Sequence, residues 1–315
     1  MNGPGCGCAP GRPAGADLPD GPVGHVSAAL RGMIAAGLRP IPAGFCEMGA
    51  ARSLYPGDLD SPRRRVRLDR FRIGAEVVTN DLFARFVAES GYVTTAEREG
   101  WSFVFHLLLP AASRHPEHPP GLPWWRKVMG ANWAHPEGPG SGIADRMDHP
   151  AVHVSWWDAQ AFAAFTGTRL PHEAEWEHAA RGGLRHRRFP WGDEAEPGGV
   201  HRHNVWQGNF PMENTAEDGY RGTAPAASFP PNGYGLHNMT GNVWEWVADW
   251  FGPLPEARLP PLRKPKGPAD GTERVMRGGS FLCHDSYCAR YYVHSRSRNA
   301  PDSTASHIGF RVAAD

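Results

Sequence analysis

Apolar residues recur three and four positions apart in three stretches of the chain, residues 79–91, 155–167 and 171–183. Thr79, Ser155 and Pro171 open these stretches, and glycines close all three of them. Ser and Thr side chains accept hydrogen bonds from the free amides of a helix start, Pro fits the first turn, and Gly ends a helix in the left-handed conformation. The spacing and its flanking residues therefore predict three amphipathic helices.

Alternation of apolar and polar positions predicts short strands elsewhere. Val66 and Leu68 alternate with arginines, and Phe71 and Ile73 do so after a change of face at residues 69–70. This pattern indicates two strands joined by a turn or a bulge. After residue 183, only short strands around residues 275–276 and 308–312 are indicated, and no internal repeat is visible.

The composition indicates a fold with many loops. The 315 residues include 38 glycines and 31 prolines, so functional residues are expected on loops. Residues 1–38 are rich in Gly, Pro and Ala and are predicted to be a flexible tail with a weak helical pattern over 26–38, whereas residues 39–315 are predicted to form a single domain. The tail contains Cys6 and Cys8, for which metal binding is only a minor alternative.

The charge balance argues against two classes of partner. Acidic and basic residues number 33 each, so no basic surface indicates binding to nucleic acid or to an anionic membrane. The sequence has no apolar run of about 18 residues and no secretory signal pattern, so a cytoplasmic protein is expected. A monomer is expected as well. A reducing compartment in turn disfavours a permanent disulfide.

Cys283 and Cys288 are two of the five cysteines and lie five positions apart. Residues at this spacing face opposite sides of a strand and lie about 140° apart on a helix. The thiols can therefore meet only on a sharp turn, which Gly278 and Gly279 permit. Two thiolates are too few for structural zinc but suit Cu(I). A local disulfide, a metal or redox site, and two inert thiols all remain open on this spacing.

Motifs along the chain place the cysteine pair in a wider context. In order, they are Gly44-Phe-Cys-Glu-Met48-Gly49, Pro150-Ala-Val-His-Val-Ser-Trp156, Arg169-Leu-Pro-His-Glu-Ala-Glu-Trp-Glu177, Gly241-Asn-Val-Trp-Glu-Trp246 and the C-terminal block from Arg277 to Arg311. From about Pro40 to its end, the chain resembles the formylglycine-generating enzymes, the sulfatase-modifying factors. The resemblance implies an α+β, C-type-lectin-like fold with few helices, short antiparallel strands and long structured loops.

The resemblance also implies a reaction. Similar enzymes oxidise the cysteine of a Cys-x-Pro-x-Arg motif in unfolded sulfatases to Cα-formylglycine, using O₂ and a reductant. Cys283 and Cys288 would hold Cu(I), and the substrate thiolate would become its third ligand. Ser280, Tyr287 and Trp244 match positions around the oxygen site of the family, although ordinary packing explains them equally well. His284 lies between the thiols, but on an extended chain it would point away from them.

A peptide groove is implied near the C-terminus, where an extended substrate would bind through backbone hydrogen bonds. His307 departs from the asparagine common at its position in the family, which puts that one contact in doubt. The matching residues are Arg296, Ser297, Asn299, Asp302, Ser306 and His307.

Two oxygen-rich stretches on glycine-bearing loops are candidates for Ca²⁺, which takes six to eight oxygen ligands. Neither is an EF-hand loop, and from the residues alone Asx-turns and helix caps are the simpler explanation. The resemblance implies two structural Ca²⁺ ions. One set of ligands is Asn204, the Val205 carbonyl, Asp218 and the Tyr220 carbonyl, and the other is Asn238, the Gly241 and Val243 carbonyls and Glu245.

Two further functions stay open. Iron-dependent sulfoxide synthases share the fold, but they carry an N-terminal helical domain with a His-rich motif for which residues 1–39 are too short. Non-catalytic lectin-like modules also carry the Gly-Asn-Val-Trp-Glu-Trp motif, but they lack the cysteine pair. Cys283 and Cys288 therefore favour formylglycine generation.

Overall fold

The computed structural model describes residues 10–11, 21–257 and 259–315. Short helices and strands are joined by long ordered loops, which confirms the predicted α+β class. The helices are α1 Ala28–Gly37, α2 Asn80–Ser90, α3 Thr95–Glu99, α4 Trp156–Thr166 and α5 Glu173–Ala180. None of the helices in the described ranges has the length and apolar character needed to cross a membrane.

The strands are two to seven residues long. In chain order they are β1 Leu38–Ile41, β2 Gly44–Met48, β3 Arg64–Leu68, β4 Phe71–Gly74, β5 Trp101–Phe105, β6 Trp125–Met129, β7 Gly208–Asn209, β8 Glu213–Asn214, β9 Trp244–Trp250, β10 Leu262–Arg263, β11 Arg274–Arg277, β12 Arg296–Asn299, β13 Ile308–Phe310 and β14 Ala313–Ala314.

The three predicted helices form where their caps indicate. The side chain of Thr79 accepts a hydrogen bond from an amide in the first turn of α2, which ends at Gly91 with φ 64°. Ser155 and Asp158 form a reciprocal capping box at the start of α4. Helix α5 begins two residues after Pro171, at Glu173, because His172 and Glu175 make a capping box of their own. Local capping chemistry thus explains these boundaries.

A four-stranded sheet of order β12-β11-β9-β13 lies next to the candidate site. Its central strand β9 was not predicted from the sequence. The reason is that residues 244–247 of β9 are all buried, so the strand shows no apolar and polar alternation. In the antiparallel pairing of β11 with β12, Arg274 faces Asn299 and Arg277 faces Arg296. Strand β11 leads directly into the turn that carries the cysteine pair.

A second sheet joins the two ends of the domain. Strand β4 lies between β1 and β14, and both neighbours run antiparallel to it. Helix α1, which precedes β1, packs Leu30 and Ile34 into the main aromatic core. The predicted tail, residues 1–38, therefore includes a helix of the core, because these two apolar side chains lie four positions apart on one helix face. Cys6 and Cys8 lie outside the described residues.

A buried network of ion pairs connects α5 to β11 and β12. Arg277 is fully buried and donates to both Glu173 (3.2 Å) and Glu177 (2.6 Å). The Glu173 carboxylate also accepts two hydrogen bonds from Arg296, at 2.6 and 2.9 Å, and the Glu177 carboxylate accepts one from Arg181 at 2.6 Å. Buried charges are tolerated only when they are paired in this way. The network fixes the end of β11 immediately before Gly278.

Candidate active site

The two thiols predicted to meet on a turn do so. Their sulfur atoms lie 3.7 Å apart, and both side chains are fully buried. The backbone carbonyl of His284 accepts hydrogen bonds from the amides of Tyr287 and Cys288, which closes the turn. Gly279 enters it with φ 76°, and a Cβ there would lie 3.0 Å from the carbonyl oxygen of Arg290. Only glycine fits this position without strain.

The pair is not a disulfide. A disulfide joins its sulfurs at about 2.05 Å, whereas the sulfurs of Cys283 and Cys288 lie 3.7 Å apart and form no such bond. Within the described ranges, no group of three or more His, Cys, Asp and Glu side chains is arranged to hold a metal. A metal on this pair would thus take only two such protein ligands. That donor set fits Cu(I) and does not fit tetrahedral zinc.

Arg290 and Asp58 control the electrostatics of the pair. Arg290 lies 3.7 Å from the sulfur of Cys288, and Asp58 binds its guanidinium in a bidentate pair at 2.6 and 3.0 Å. Burial raises the pKa of both thiols, but the hydrogen bond from Cys283 and the charge of Arg290 bring the pKa of Cys288 below its usual value. The geometry therefore favours a Cys288 thiolate that accepts a hydrogen bond from the Cys283 thiol.

The sequence analysis missed Arg290, Asp58 and Tyr55. The ring of Tyr55 lies 3.9 Å below the Arg290 guanidinium, and its hydroxyl accepts the amide of Ala289 at 3.1 Å. Arg290 follows Cys288 by two residues, which is a detectable signal for a cation beside a thiolate. Asp58 and Tyr55 lie more than 200 positions away, so no local pattern links them to the thiols.

Two of the three other candidate residues carry unpaired polar atoms. Tyr287 stacks on Phe210 with ring centroids 4.5 Å apart, and its hydroxyl has no hydrogen-bond partner. Burial and the nearby charges of the thiols raise its pKa, so the phenol stays protonated. The Trp244 indole nitrogen is also buried without a partner. An unpaired buried donor is costly, so both groups are suited to a polar ligand.

Ser280 and His284 have defined contacts in the turn. Ser280 is fully buried, its amide points at the Cys283 sulfur at 3.4 Å, and its hydroxyl accepts the amide of Leu282 at 3.3 Å. His284 turns outwards, with its Nδ1 2.8 Å from the Ser286 hydroxyl and 3.3 Å from Asp285. Ser280 therefore lies at the thiols, whereas the ring of His284 is directed towards the surface.

The first oxygen-rich set contains oxygens that suit a cation. Asn204 is fully buried, and its side-chain oxygen has no partner, while its amide nitrogen donates to the Gly222 carbonyl at 2.8 Å. The Asp218 carboxylate accepts the amides of Val205 (3.1 Å) and Tyr220 (2.9 Å). Burial raises the pKa of Asp218, although its hydrogen bonds oppose this effect. These oxygen atoms are of the kind that Ca²⁺ takes as ligands.

The second set of oxygens, which includes Asn238 and Glu245, can also suit a cation, but hydrogen bonds already occupy most of the Glu245 carboxylate. The side-chain oxygen of Asn238 is buried and unpaired. Glu245 is fully buried and accepts three hydrogen bonds, one from Trp176 at 2.7 Å and two from Arg311 at 2.6 and 2.7 Å. A carboxylate has about four lone-pair positions, so about one remains for a cation. The sequence analysis did not anticipate Arg311, which neutralises Glu245.

Both oxygen-rich loops are hydrogen-bonded to the cysteine turn. The Asn242 amide donates to the Asn204 carbonyl at 2.8 Å, and the Phe281 amide donates to the Asn242 carbonyl at 2.9 Å. Trp206 follows the first loop, and its amide donates to the Cys283 carbonyl at 3.1 Å. The two loops therefore share backbone hydrogen bonds with the turn that carries Cys283.

The structure corrects one residue of the expected peptide groove. Arg296 is only 2% exposed, and Glu173 binds its guanidinium in a bidentate pair. Its remaining nitrogen donates to the carbonyls of residues 58, 59 and 252. Arg296 thus supports the sheet from inside and offers no free donor to a peptide, because its partners come from segments that the sequence cannot connect to β12.

The other groove candidates lie on β12 and in the loop that follows it. Asn299 ends β12 and donates to the Pro10 carbonyl at 3.1 Å. The ring of His307 is fully buried against Trp125, with centroids 4.7 Å apart. The group as a whole is buried, at 7% exposure or less, and comprises Ser297, Asn299, Asp302, Ser306 and His307.

Comparisons with known proteins show what this chain is similar to. Residues 31–315 match the sulfatase-modifying factor enzyme 1-like domain. The chain is 55% identical over 286 residues to a formylglycine-generating enzyme of Thermomonospora curvata, covering 90% of this chain and 94% of that one. It is 51% identical to a mouse formylglycine-generating enzyme, covering 88% of this chain and 74% of that one.

A solved structure shares the fold. PvdO from Pseudomonas aeruginosa superposes with a TM-score of 0.61 at 25% identity, covering 88% of this chain and 94% of that one. The likeness thus extends over most of this chain. Because a single domain model matches from α1 to the last residue, the chain belongs to the formylglycine-generating enzyme family, the sulfatase-modifying factors.

Proposed function

We propose that this protein converts the cysteine of a Cys-x-Pro-x-Arg motif in unfolded sulfatases to Cα-formylglycine, with Cu(I) held by Cys283 and Cys288. The observation that carries the proposal is the pair of buried thiols, with sulfur atoms 3.7 Å apart and no disulfide between them, beside the guanidinium of Arg290. When bound there, Cu(I) would supply a soft centre that accepts a further thiolate and passes electrons to O₂. The similar enzymes named above support the substrate class.

The overall reaction balances with a thiol as reductant. The substrate CH₂–SH group, one O₂, two electrons and two protons give an aldehyde, H₂S and one water. The carbon and sulfur atoms of the substrate separate, O₂ is reduced, and the thiol reductant supplies both electrons. Two-coordination by protein ligands leaves room for the substrate and for oxygen, as an open position does in other catalytic metal sites.

The surrounding residues have roles that follow from their contacts. Arg290 compensates the negative charge that two thiolates bring into a buried site, and Asp58 holds Arg290 in place. The unpaired donors of Tyr287 and Trp244 would hydrogen-bond reduced oxygen or the substrate sulfur. Ser280 fixes the turn through its amide and its hydroxyl.

We also propose two structural Ca²⁺ ions. The buried, unpaired side-chain oxygens of Asn204 and Asn238 support them, since an orphaned buried acceptor is costly without a ligand. The Val205 and Tyr220 carbonyls with Asp218, and the Gly241 and Val243 carbonyls with Glu245, would complete the sets. A cytoplasmic location is part of the same proposal.

Mass spectrometry tests the proposed reaction. Purified protein is loaded with Cu(I) and incubated with a Cys-x-Pro-x-Arg peptide, O₂ and a thiol reductant. We expect the peptide thiol to disappear and an aldehyde to form. Peptide that stays unchanged while copper is bound would overturn the proposal and favour a non-catalytic binding module. An O₂-dependent sulfoxide product would instead favour the sulfoxide synthase chemistry.

A further inference from the structure

The sequence contains a substrate-like motif of its own. Residues 8–12 read Cys-Ala-Pro-Gly-Arg, which matches Cys-x-Pro-x-Arg at all three fixed positions. Cys6 lies just before the motif and Pro13 just after it. The proposed active site uses none of these residues, so the match requires an explanation of its own.

The structure places the middle of this motif against the expected peptide groove. The Pro10 carbonyl accepts a hydrogen bond from the side chain of Asn299 at 3.1 Å, and Pro10 is buried. Gly11 packs on the same side chain, because a Cβ added there would lie 3.0 Å from the Asn299 oxygen. A side-chain amide that binds a backbone carbonyl is a typical contact for an extended peptide.

Asn299 is connected to the thiol pair by one short segment. Arg298, its neighbour on β12, donates to the Gly57 carbonyl at 2.8 Å. The next residue, Asp58, holds the Arg290 that lies beside Cys288. The groove end at Asn299 and the thiols therefore share the turn at residues 56–58 as a common support. A peptide that binds at Asn299 is thus bound to the framework that carries the reactive pair.

We propose that Cys8–Arg12 is a tethered substrate mimic, which occupies the peptide groove and competes with external Cys-x-Pro-x-Arg chains. The inference rests on the proposed function, since it takes the substrate motif from there. A segment on a short linker has an effective concentration in the millimolar range. The apparent affinity for an external peptide is then the intrinsic affinity multiplied by the fraction of molecules whose groove is open.

Peptide binding to copper-free, full-length protein tests this without turnover. The probe is fluorescein-labelled Ala-Cys-Ala-Pro-Ala-Arg-Ala, measured by fluorescence anisotropy in a phosphine reductant that prevents mixed disulfides. The test variant combines Cys8→Ser, Pro10→Ala and Arg12→Ala. The matched control combines Pro4→Ala, Cys6→Ser and Pro13→Ala, which leave the motif intact. We expect Kd to fall at least threefold in the test variant and to stay at the wild-type value in the control.

The outcomes separate the two proposals. Equal binding by wild type and test variant would overturn the tethered mimic and leave the proposed function standing. An equal gain in peptide affinity in the test and control variants would also overturn it. The effect would then come from any substitution in this segment and not from loss of the motif. If no variant binds the probe, the peptide groove and the proposed substrate motif fail together.

Discussion

The guanidinium of Arg290 lies 3.7 Å from the sulfur of Cys288. A cation at this position stabilises a buried anionic dithiolate, and hydrogen bonds to charged groups contribute about 1.5–3 kcal/mol. We therefore expect Arg290→Met to weaken Cu(I) binding about tenfold or more. Competition with a chromophoric Cu(I) chelator measures the affinity without turnover. Arg298→Met is the matched control, because Arg298 contacts the same turn at Gly57 but pairs with Glu273 instead of a thiol. Equal losses in the two variants would contradict a specific role for Arg290.

The thiol pair makes a prediction about stoichiometry. The wild-type protein should bind one Cu(I), and Cys283→Ser or Cys288→Ser should remove both copper binding and turnover. Cys46→Ala is the control, because Cys46 is buried elsewhere and burial raises its pKa to about 12, so it is a poor metal ligand. Elemental analysis and the peptide assay measure both effects. Full activity of either serine variant would refute the assignment.

Calcium should stabilise the fold without being needed to hold copper. An ion that binds only the folded state adds about 2.7 kcal/mol per site at 100 times its Kd. Chelation of calcium should thus lower the Tm of the wild type while copper stays bound. Asp218→Asn should reduce this shift, whereas Glu217→Gln, at an exposed neighbouring position, should not. A chelator that removes measured calcium but leaves the melting curve unchanged would contradict the two sites.

Glu177 makes the stability depend on pH. Burial alone raises its pKa, but Arg181 and Arg277 outweigh this effect and lower the pKa of Glu177 below its usual value. The stabilisation is therefore fully present above the unfolded-state pKa of about 4.3 and is lost as the pH falls from there through the lower folded-state pKa. Glu177→Gln should cost about 3–5 kcal/mol at pH 7, the usual loss for breaking a buried pair.

Urea unfolding at pH 7 and near pH 4 measures this difference. The gap between wild type and Glu177→Gln should begin to narrow at the lower pH, because there the carboxyl of Glu177 binds a proton in the unfolded chain while the folded protein keeps it ionised. Glu273→Gln is the control, because Glu273 forms a partly exposed pair with Arg298 and should matter little at either pH. A gap that stays constant would show that the charge of Glu177 is not what stabilises the fold.

The buried thiols also predict the form of the substrate. A cysteine that must reach Cys283 and Cys288 has to be presented on an extended chain, so short Cys-x-Pro-x-Arg peptides should react and the same motif in a folded sulfatase should not. Replacing the motif arginine by alanine should lower kcat/KM about tenfold or more, as expected for one charge-assisted hydrogen bond. Peptide and folded protein are compared by mass spectrometry. Equal turnover of both would rule out the groove.

Local patterns in the sequence were enough to predict several elements. Thr79, Ser155 and Gly167 mark helix ends because capping depends on neighbouring residues only. The turn that joins the thiols was also predictable, since Gly278 and Gly279 permit positive φ. Strand β9 was missed because both of its faces are largely buried, which removes the alternation that reveals a strand.

Long-range contacts explain the remaining differences. Arg296 matched the peptide groove by resemblance, but Glu173 and three carbonyls from distant segments hold it inside the protein. Asp58 acts on Cys288 through Arg290 across 232 positions. Such partners become visible only when the fold brings them together, because no spacing rule connects residues so far apart.

The position of β4 between β1 and β14 has a consequence for synthesis on the ribosome. One edge of β4 pairs with β1 early, but the other edge waits for Ala313 and Ala314, which follow β4 by about 240 positions (313 − 73 = 240). Until then a nascent chain exposes an open strand edge, which is a site for unwanted pairing with other chains. A ribosome that stalls before residue 313 should therefore yield aggregation-prone chains that need chaperone protection.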